Sequence, residues 1–274
     1  MNPVDEQFSL FAPAGGEHHA EPGLLRVLTW NLQHASPERT MRQADWIAAS
    51  DADVAVLTEI SPGASAITQA LTGHGFTVHV PEGGGGDYLT IIASRGGKAE
   101  PVTDIAPSYL PHRCAVIRLH TDDGHIVSVV GLYVPSRGPQ ERRNVDKRAF
   151  QDAVAAMLPS LADDLEAAGP VVIAGDLNVV EPGHQPHHKV FGAWEYGFYR
   201  AFEDAGYGDA FRRCHPETSD HSWYGRRSHA GYRFDHIFCS PQEVVTSCCY
   251  LHDPRISNLS DHAAMTATLT LTAH

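Results

Sequence analysis

No stretch of this sequence stays apolar for the roughly 20 residues that a membrane-spanning helix needs, so a membrane protein is not expected. Cysteine is scarce: Cys114, Cys214, Cys239, Cys248 and Cys249 are odd in number, two are adjacent, and no C-x-x-C spacing occurs. That excludes a disulfide framework and a thiolate zinc site, and it fits a reducing compartment. Met1 to Glu6 carry no basic segment and no apolar run follows them. A secretory signal is therefore not expected and a cytoplasmic location is. Positive charge is also in short supply. Lysine and arginine total 20 against 33 aspartates and glutamates, for a formal net charge of -13. A protein that holds nucleic acid by phosphate contacts alone would show a basic footprint, so simple electrostatic binding is excluded. A carboxylate-rich centre whose charge is offset by a bound cation remains open.

Of what is present, hydrophobic residues make up 42% of the 274 positions, enough for a substantial core. Residues 1–23 are rich in Gly, Pro, Glu and His without periodicity and read as a flexible tail; 24–272 read as one domain. Within it, apolar runs predict strands at 25–30, 54–57, 76–80, 89–94, 114–119, 126–134, 171–174, 222–224, 233–239, 244–251 and 264–271. Helices are expected at 40–50, 64–71, 198–205 and 145–167, the last with a break at Pro159. Strands and helices mixed without strict βαβ repetition indicate an α+β sandwich of sheets covered by helices. The Gly83–Gly86 run lacks the flanking strand, helix and lysine of a phosphate loop and is read as a turn.

Polar residues follow directly on several apolar runs. Asn31 ends Leu-Thr-Trp-Asn, Glu59 ends Val-Leu-Thr-Glu, and Tyr133 lies in Gly-Leu-Tyr-Val-Pro. Asp176 and Asn178 follow Val-Val-Ile-Ala-Gly, Asp235 sits in Arg-Phe-Asp-His-Ile-Phe, and Asp261-His262 precedes Ala-Ala-Met-Thr. Such residues at strand ends converge on one rim of a sheet, where rigid strands position them. Oxygen donors without thiolates favour a hard cation, Mg2+ or Mn2+. Of the 18 histidines, His184, His187 and His188 fall in a Gly/Pro-containing loop and read as solvated, with a metal or substrate role as the alternative. His236 faces away from Asp235 by strand alternation, and His34 is given no role.

Trp30-Asn31-Leu32, Leu57-Thr58-Glu59, Tyr133-Val134-Pro135, Gly175-Asp176-Leu177-Asn178, Arg233-Phe234-Asp235 and Ser260-Asp261-His262 resemble, in order, the motifs of the endonuclease/exonuclease/phosphatase superfamily. The stretch from Asp204 to Phe211, with Ser222-Trp223-Tyr224, is similar to exonuclease III and its apurinic/apyrimidinic endonuclease relatives. Gly131 stands where those relatives commonly carry asparagine, and Gln33 where they carry Asn or Asp.

The resemblance implies a DNase-I-like four-layer α/β/β/α sandwich and a divalent-metal-dependent phosphodiesterase. DNA is the implied substrate, at abasic sites or 3′ ends in repair; a small phosphorylated metabolite is the alternative. It implies Glu59 as the principal metal ligand, with Asn31 and Asp261 beside it, and Asp176 as the group that orients or deprotonates water. Asn178, Tyr133 and His262 would donate to the phosphoryl oxygens, and Asp235 would accept from His262. Asn31, Arg137 and Trp223 would contact substrate. Finally, Gln7-Phe8-Ser9-Leu10-Phe11 resembles the peptide by which bacterial DNA-processing proteins dock on the replication sliding clamp; Gln7, Leu10 and Phe11 would be its anchors.

Overall fold

The computed structural model describes residues 20–137 and 141–271. The expected clamp-docking residues Gln7, Leu10 and Phe11 lie outside them. Strands β1 (Leu24–Asn31), β2 (Val54–Ile60), β3 (Thr77–His79) and β4 (Leu89–Ser94) open a first sheet. A second sheet takes β5 (Gly97–Pro101), β6 (Cys114–Thr121), β7 (Ile126–Tyr133), β8 (Val171–Asp176) and β9 (Gly208–Asp209). After a short ribbon, β10 (Trp223–Tyr224) with β11 (Gly231–Tyr232), β12 (Asp235–Ser240) joins the second sheet. The chain then returns to the first with β13 (Val245–Leu251) and β14 (Ala264–Thr270). The sheet orders are β13-β14-β1-β2-β4-β3 and β5-β6-β7-β8-β12-β9.

The central strands of both sheets are buried on both faces, which is why they read as continuous apolar runs. In β1, Leu25 and Val27 enter the layer between the sheets, while Leu28 and Trp30 face outward. In β8, Val172 and Ala174 point inward, and Val171 and Ile173 outward. Helices α1 (Pro37–Ala49) and α2 (Ser65–Gly73) cover the first sheet's outer face; α3 (Glu141–Leu165) and α4 (Ala193–Asp204) cover the second's. The result is the expected four-layer α/β/β/α sandwich. The short helices α5 (Ala210–Cys214) and α6 (Asp253–Ile256) complete it.

Local chemistry explains the boundaries. Ser36 caps α1 by accepting from Arg39 N, Pro37 begins it, and Thr40, Gln43, Ala44 and Ile47 form its buried stripe. In α3 the stripe Phe150, Val154, Leu158, Leu161 and Leu165 packs on the second sheet. The helix continues through Pro159, contrary to the expected break. Pro159 is exposed, so the carbonyl it frees can be solvated while the buried stripe holds the helix together. The edge strands β5 and β9 and the helices α5 and α6 are not among the expected elements, being too short to show a period. At Gly131 an added Cβ would lie 2.8 Å from Thr90 Cγ2 and 2.9 Å from Val56 Cγ1, so the sheets approach too closely there for a side chain. Among the described residues no helix is long and apolar enough to cross a membrane, and the five cysteines are free.

Candidate active site

The inward-facing rows end together. Alternation carries Leu25 and Val27 on to Asn31, Val129 on to Tyr133, Ala174 on to Asp176, and Ile237 back to Asp235. Two parallel pairings, β1 with β2 and β7 with β8, bring strand C-termini to one edge, and Tyr133 lies in register with Asp176. The antiparallel partner β12 starts there, with Asp235 opposite Asp176. Glu59 reaches the same edge through an irregularity: the β2–β4 register shifts between Leu57 and Ile60, and Glu59 takes a left-handed φ of 55°. Glu59, Tyr133 and Asp176 line a cleft of about 1090 Å³, shared with Asp261, His262, Arg137 and Trp223, while Asn31 and Asp235 are buried behind it.

Asn31 Nδ2 donates to Glu59 Oε2 at 3.0 Å and to Asp176 Oδ2 at 2.8 Å, while its Oδ1 accepts from Gln33 N at 2.8 Å. Asp176 also accepts from Asn178 N at 2.9 Å and Asn178 Nδ2 at 3.1 Å. The second hydrogen of that amide goes to Val134 O at 2.9 Å, so the Asn178 side chain braces Asp176. His262 Nδ1 lies 2.7 Å from Asp235 Oδ2. Ser222 Oγ accepts from Asp235 N at 3.2 Å, and Tyr250 donates to Asp235 O at 2.6 Å, which fixes the Asp235 backbone.

Charge follows from this crowding. Burial, then the neighbouring Asp235 charge, pushes Asp176 up to about 7. For His262 burial acts downward, but the Asp235 charge and hydrogen bond outweigh it and hold the imidazole up to about 10. The Asp235 pairing at Nδ1 thus favours the imidazolium and makes His262 a hydrogen-bond donor. Burial, then Glu59 and Asp176, raise Tyr133 well above the usual phenol range, so it too remains a donor. The Arg113 guanidinium lies 4.6 Å over the Tyr133 ring and is held by two hydrogen bonds to Asp87.

Among the described residues, the one set of three or more His, Cys, Asp or Glu ligand atoms within 4.8 Å of one another is Asp176, Asp235 and His262. Glu59 is joined to Asp176 of this set through Asn31 Nδ2, lines the cleft and has the His34 imidazole at its other oxygen; carboxylate oxygens beside an imidazole fit a hard or borderline divalent cation. Asp261 lines the same cleft, with its Oδ2 accepting from Trp223 Nε1 at 3.1 Å and lying 3.7 Å from Arg226 Nη2. Trp223 is half-buried beside Tyr232 and Phe234, with ring centroids 5.4 and 5.7 Å away. Arg137 lines the cleft while donating to Glu195 Oε2 at 2.6 Å.

Several contributors carry no legible sequence signal. Lys147 and Glu195 are fully buried and paired, and Lys147 Nζ donates to Asn178 O at 2.8 Å. His34 Nδ1 lies 2.7 Å from Glu59 Oε1. The histidine loop proves to be a brace: His184 Nε2 accepts from Arg233 N at 3.2 Å, His188 Nε2 meets Gly231 O at 2.8 Å, and His188 stacks on Tyr232 at 3.7 Å. His236 faces away from the cleft, with Nε2 2.9 Å from Val179 O.

Comparison with known proteins agrees with this geometry. The model of the Endonuclease/Exonuclease/phosphatase family matches residues 28–262. An AP endonuclease from Archaeoglobus fulgidus superposes with a TM-score of 0.74 at 20% identity, over 90% of this chain and 100% of that one. A 3′ phosphatase from Neisseria bound to a product DNA hairpin gives 0.72 at 21% identity, over 89% and 98%. AP endonuclease LMAP from Leishmania major gives 0.72 at 18% identity, over 91% and 88%. Curated protein sequences gave no match. With its family motifs gathered at one cleft between two sheets, the chain is a phosphoric-ester hydrolase that belongs to the Endonuclease/Exonuclease/phosphatase family.

Proposed function

We propose that this enzyme hydrolyses phosphodiester or terminal phosphoester bonds in DNA with a divalent cation, Mg2+ or Mn2+, held at Glu59. The observation that carries this reading is the joined pair of units at the cleft floor: Asp176 braced by Asn31 and Asn178, and the Asp235–His262 ion pair beside it. Asp176 takes the proton of the attacking water, a task suited to a carboxylate raised toward neutrality. The His262 imidazolium and the Tyr133 phenol donate to the phosphoryl oxygens as negative charge builds on them. Asp235 keeps His262 charged and turned. When bound, the cation supplies Lewis-acid stabilisation of phosphoryl and leaving oxygens.

DNA is favoured by the half-buried aromatic wall of Trp223, Tyr232 and Phe234, which suits a sugar or base face, and by Arg113, Arg137 and Arg226 along the cleft. The AP endonucleases and the hairpin-bound 3′ phosphatase of the same fold support it. A small phosphorylated metabolite is the second reading, favoured by the net charge of -13. Docking on a sliding clamp through Gln7, Leu10 and Phe11, and a cytoplasmic location, belong with the DNA reading. The deciding assay offers the full chain with Mg2+ an abasic-site duplex, a duplex with a 3′ phosphate and a panel of phosphorylated metabolites. Cleavage of either DNA at the higher kcat/KM supports the proposal; turnover of metabolites alone overturns it.

A further inference from the structure

Glu59 meets Asn31 on one side and His34 on the other. Asn31 offers Glu59 its amide nitrogen, because its oxygen is already engaged by Gln33 N. On the opposite side His34 Nδ1 lies 2.7 Å from Glu59 Oε1, where a proton joins them, and it offers a lone pair once that proton leaves. That separation suits a shared proton, and it is also close to the spacing of two adjacent ligands on one cation, about 3 Å for bonds near 2.1 Å.

Backbone geometry holds the two side chains together. Gln33, His34 and Glu59 have φ values of 53°, 35° and 55°, all in the left-handed region that non-glycine residues rarely occupy. Each such residue costs on the order of 1 kcal/mol or more, and clustered strain of this kind marks functional sites more often than ordinary turns. Hydrogen bonds lock the arrangement: Leu32 N donates to Thr58 O at 3.0 Å and His34 N to Glu59 O at 2.9 Å. The loop after β1 therefore continues the pairing with β2 past its irregularity. The His34 ring packs 5.2 Å from the Tyr88 ring, which limits its rotation, and it stays half-exposed on the cleft wall beside Glu59.

We propose that His34 is a nitrogen ligand of the divalent cation, making the centre a mixed nitrogen and oxygen site that prefers Mn2+ and the later first-row cations to Mg2+. The inference rests on the metal-dependent reading above. Imidazole suits the later first-row metals, whereas Mg2+ keeps to oxygen and water. An all-oxygen centre would show no such preference beyond the general affinity order of the metals. Removing His34 should therefore weaken one class of cation and spare the other.

The test uses the full chain and two variants. His34→Asn keeps a residue that tolerates left-handed φ, and His34→Gly relieves the strain should the first fail to fold. Calorimetry compares Co2+ with Mg2+, and the electron spin echo of bound Mn2+ reads nitrogen-14 coupling directly. The expected result is a wild-type nitrogen-14 signal lost in both variants. Co2+ affinity should fall at least about 10-fold while Mg2+ affinity moves less than about 3-fold. A nitrogen-14 signal retained in the variants, or equal losses for both cations, overturns the proposal and leaves His34 as a group that merely orients Glu59. Wild-type protein that binds no divalent cation overturns the metal-dependent reading as well, so the two failures are distinguishable.

Discussion

Asp235 and His262 form a buried ion pair across the two sheets, with His262 Nδ1 2.7 Å from Asp235 Oδ2. Asp235 begins β12 of the second sheet, while His262 precedes β14 of the first. The pair therefore ties the layers together at the edge where the candidate site lies.

Asp235→Asn removes the charge that sustains the imidazolium. Breaking a buried pair costs about 3–5 kcal/mol, and because His262 can shed its proton the loss should fall near 3 kcal/mol. For a chain of this size that lowers Tm by about 6–12 °C. Thermal unfolding measures the loss, and proton NMR of His262 should show its pKa falling from the raised value that Asp235 sustains in wild type. An unchanged His262 pKa would mean that another group holds its charge.

The fully buried Lys147–Glu195 pair stands behind Asn178, with Lys147 donating to the Asn178 carbonyl. Burial pulls the Lys147 ammonium down, and the Glu195 charge partly restores it. Lys147→Met alone leaves Glu195 buried with Arg137 and should cost about 3 kcal/mol. The double replacement Lys147→Met with Glu195→Leu should recover most of that stability but not the activity, because Asn178 loses its support. Denaturant melts beside kcat measurements separate the two effects; recovery of both would show that the pair serves packing alone.

Acid sensitivity should trace to Asp209. Burial acts upward on its carboxyl, but the Arg233 charge and the His236 hydrogen bond overcome this and hold it well below the usual carboxylate range. A depressed folded-state pKa gives stability that is present above the unfolded value of about 3.8 and is lost as pH falls below it. Asp209→Asn should therefore be less stable than wild type at pH 7 and lose less on going from pH 5 to pH 3. Denaturation free energies at several pH values check this; parallel curves would contradict it.

Much of the site was legible in the sequence because its chemistry sits where strand periodicity ends. Asn31, Tyr133, Asp176 and Asp235 each extend an inward-facing apolar row, so the pattern that identifies the strand also aims the polar residue. His34 was not legible, since its contact with Glu59 depends on a strand irregularity and three left-handed residues that no local pattern announces. Lys147 resembles an ordinary surface charge in sequence and Arg233 enters only as part of a motif, yet both are fully buried. Each burial depends on carboxylates distant in the chain: Glu195 for Lys147, Glu181 and Asp209 for Arg233. Asp261 and Trp223 were both singled out, but their hydrogen bond to each other spans 38 residues and emerges only from the fold.

A double-variant cycle decides whether Asp176 and His262 act as one unit on a phosphoester. The rates of Asp176→Asn, His262→Ala and the double variant are measured on the phosphoester that wild type turns over fastest, with its preferred divalent cation at saturation. Each single variant should lose at least about 1,000-fold in kcat with its fold intact, and the double variant should be little slower than either, because groups that act as a unit are strongly non-additive. Losses that simply multiply, or an Asp176→Asn rate within about 10-fold of wild type, would contradict the account.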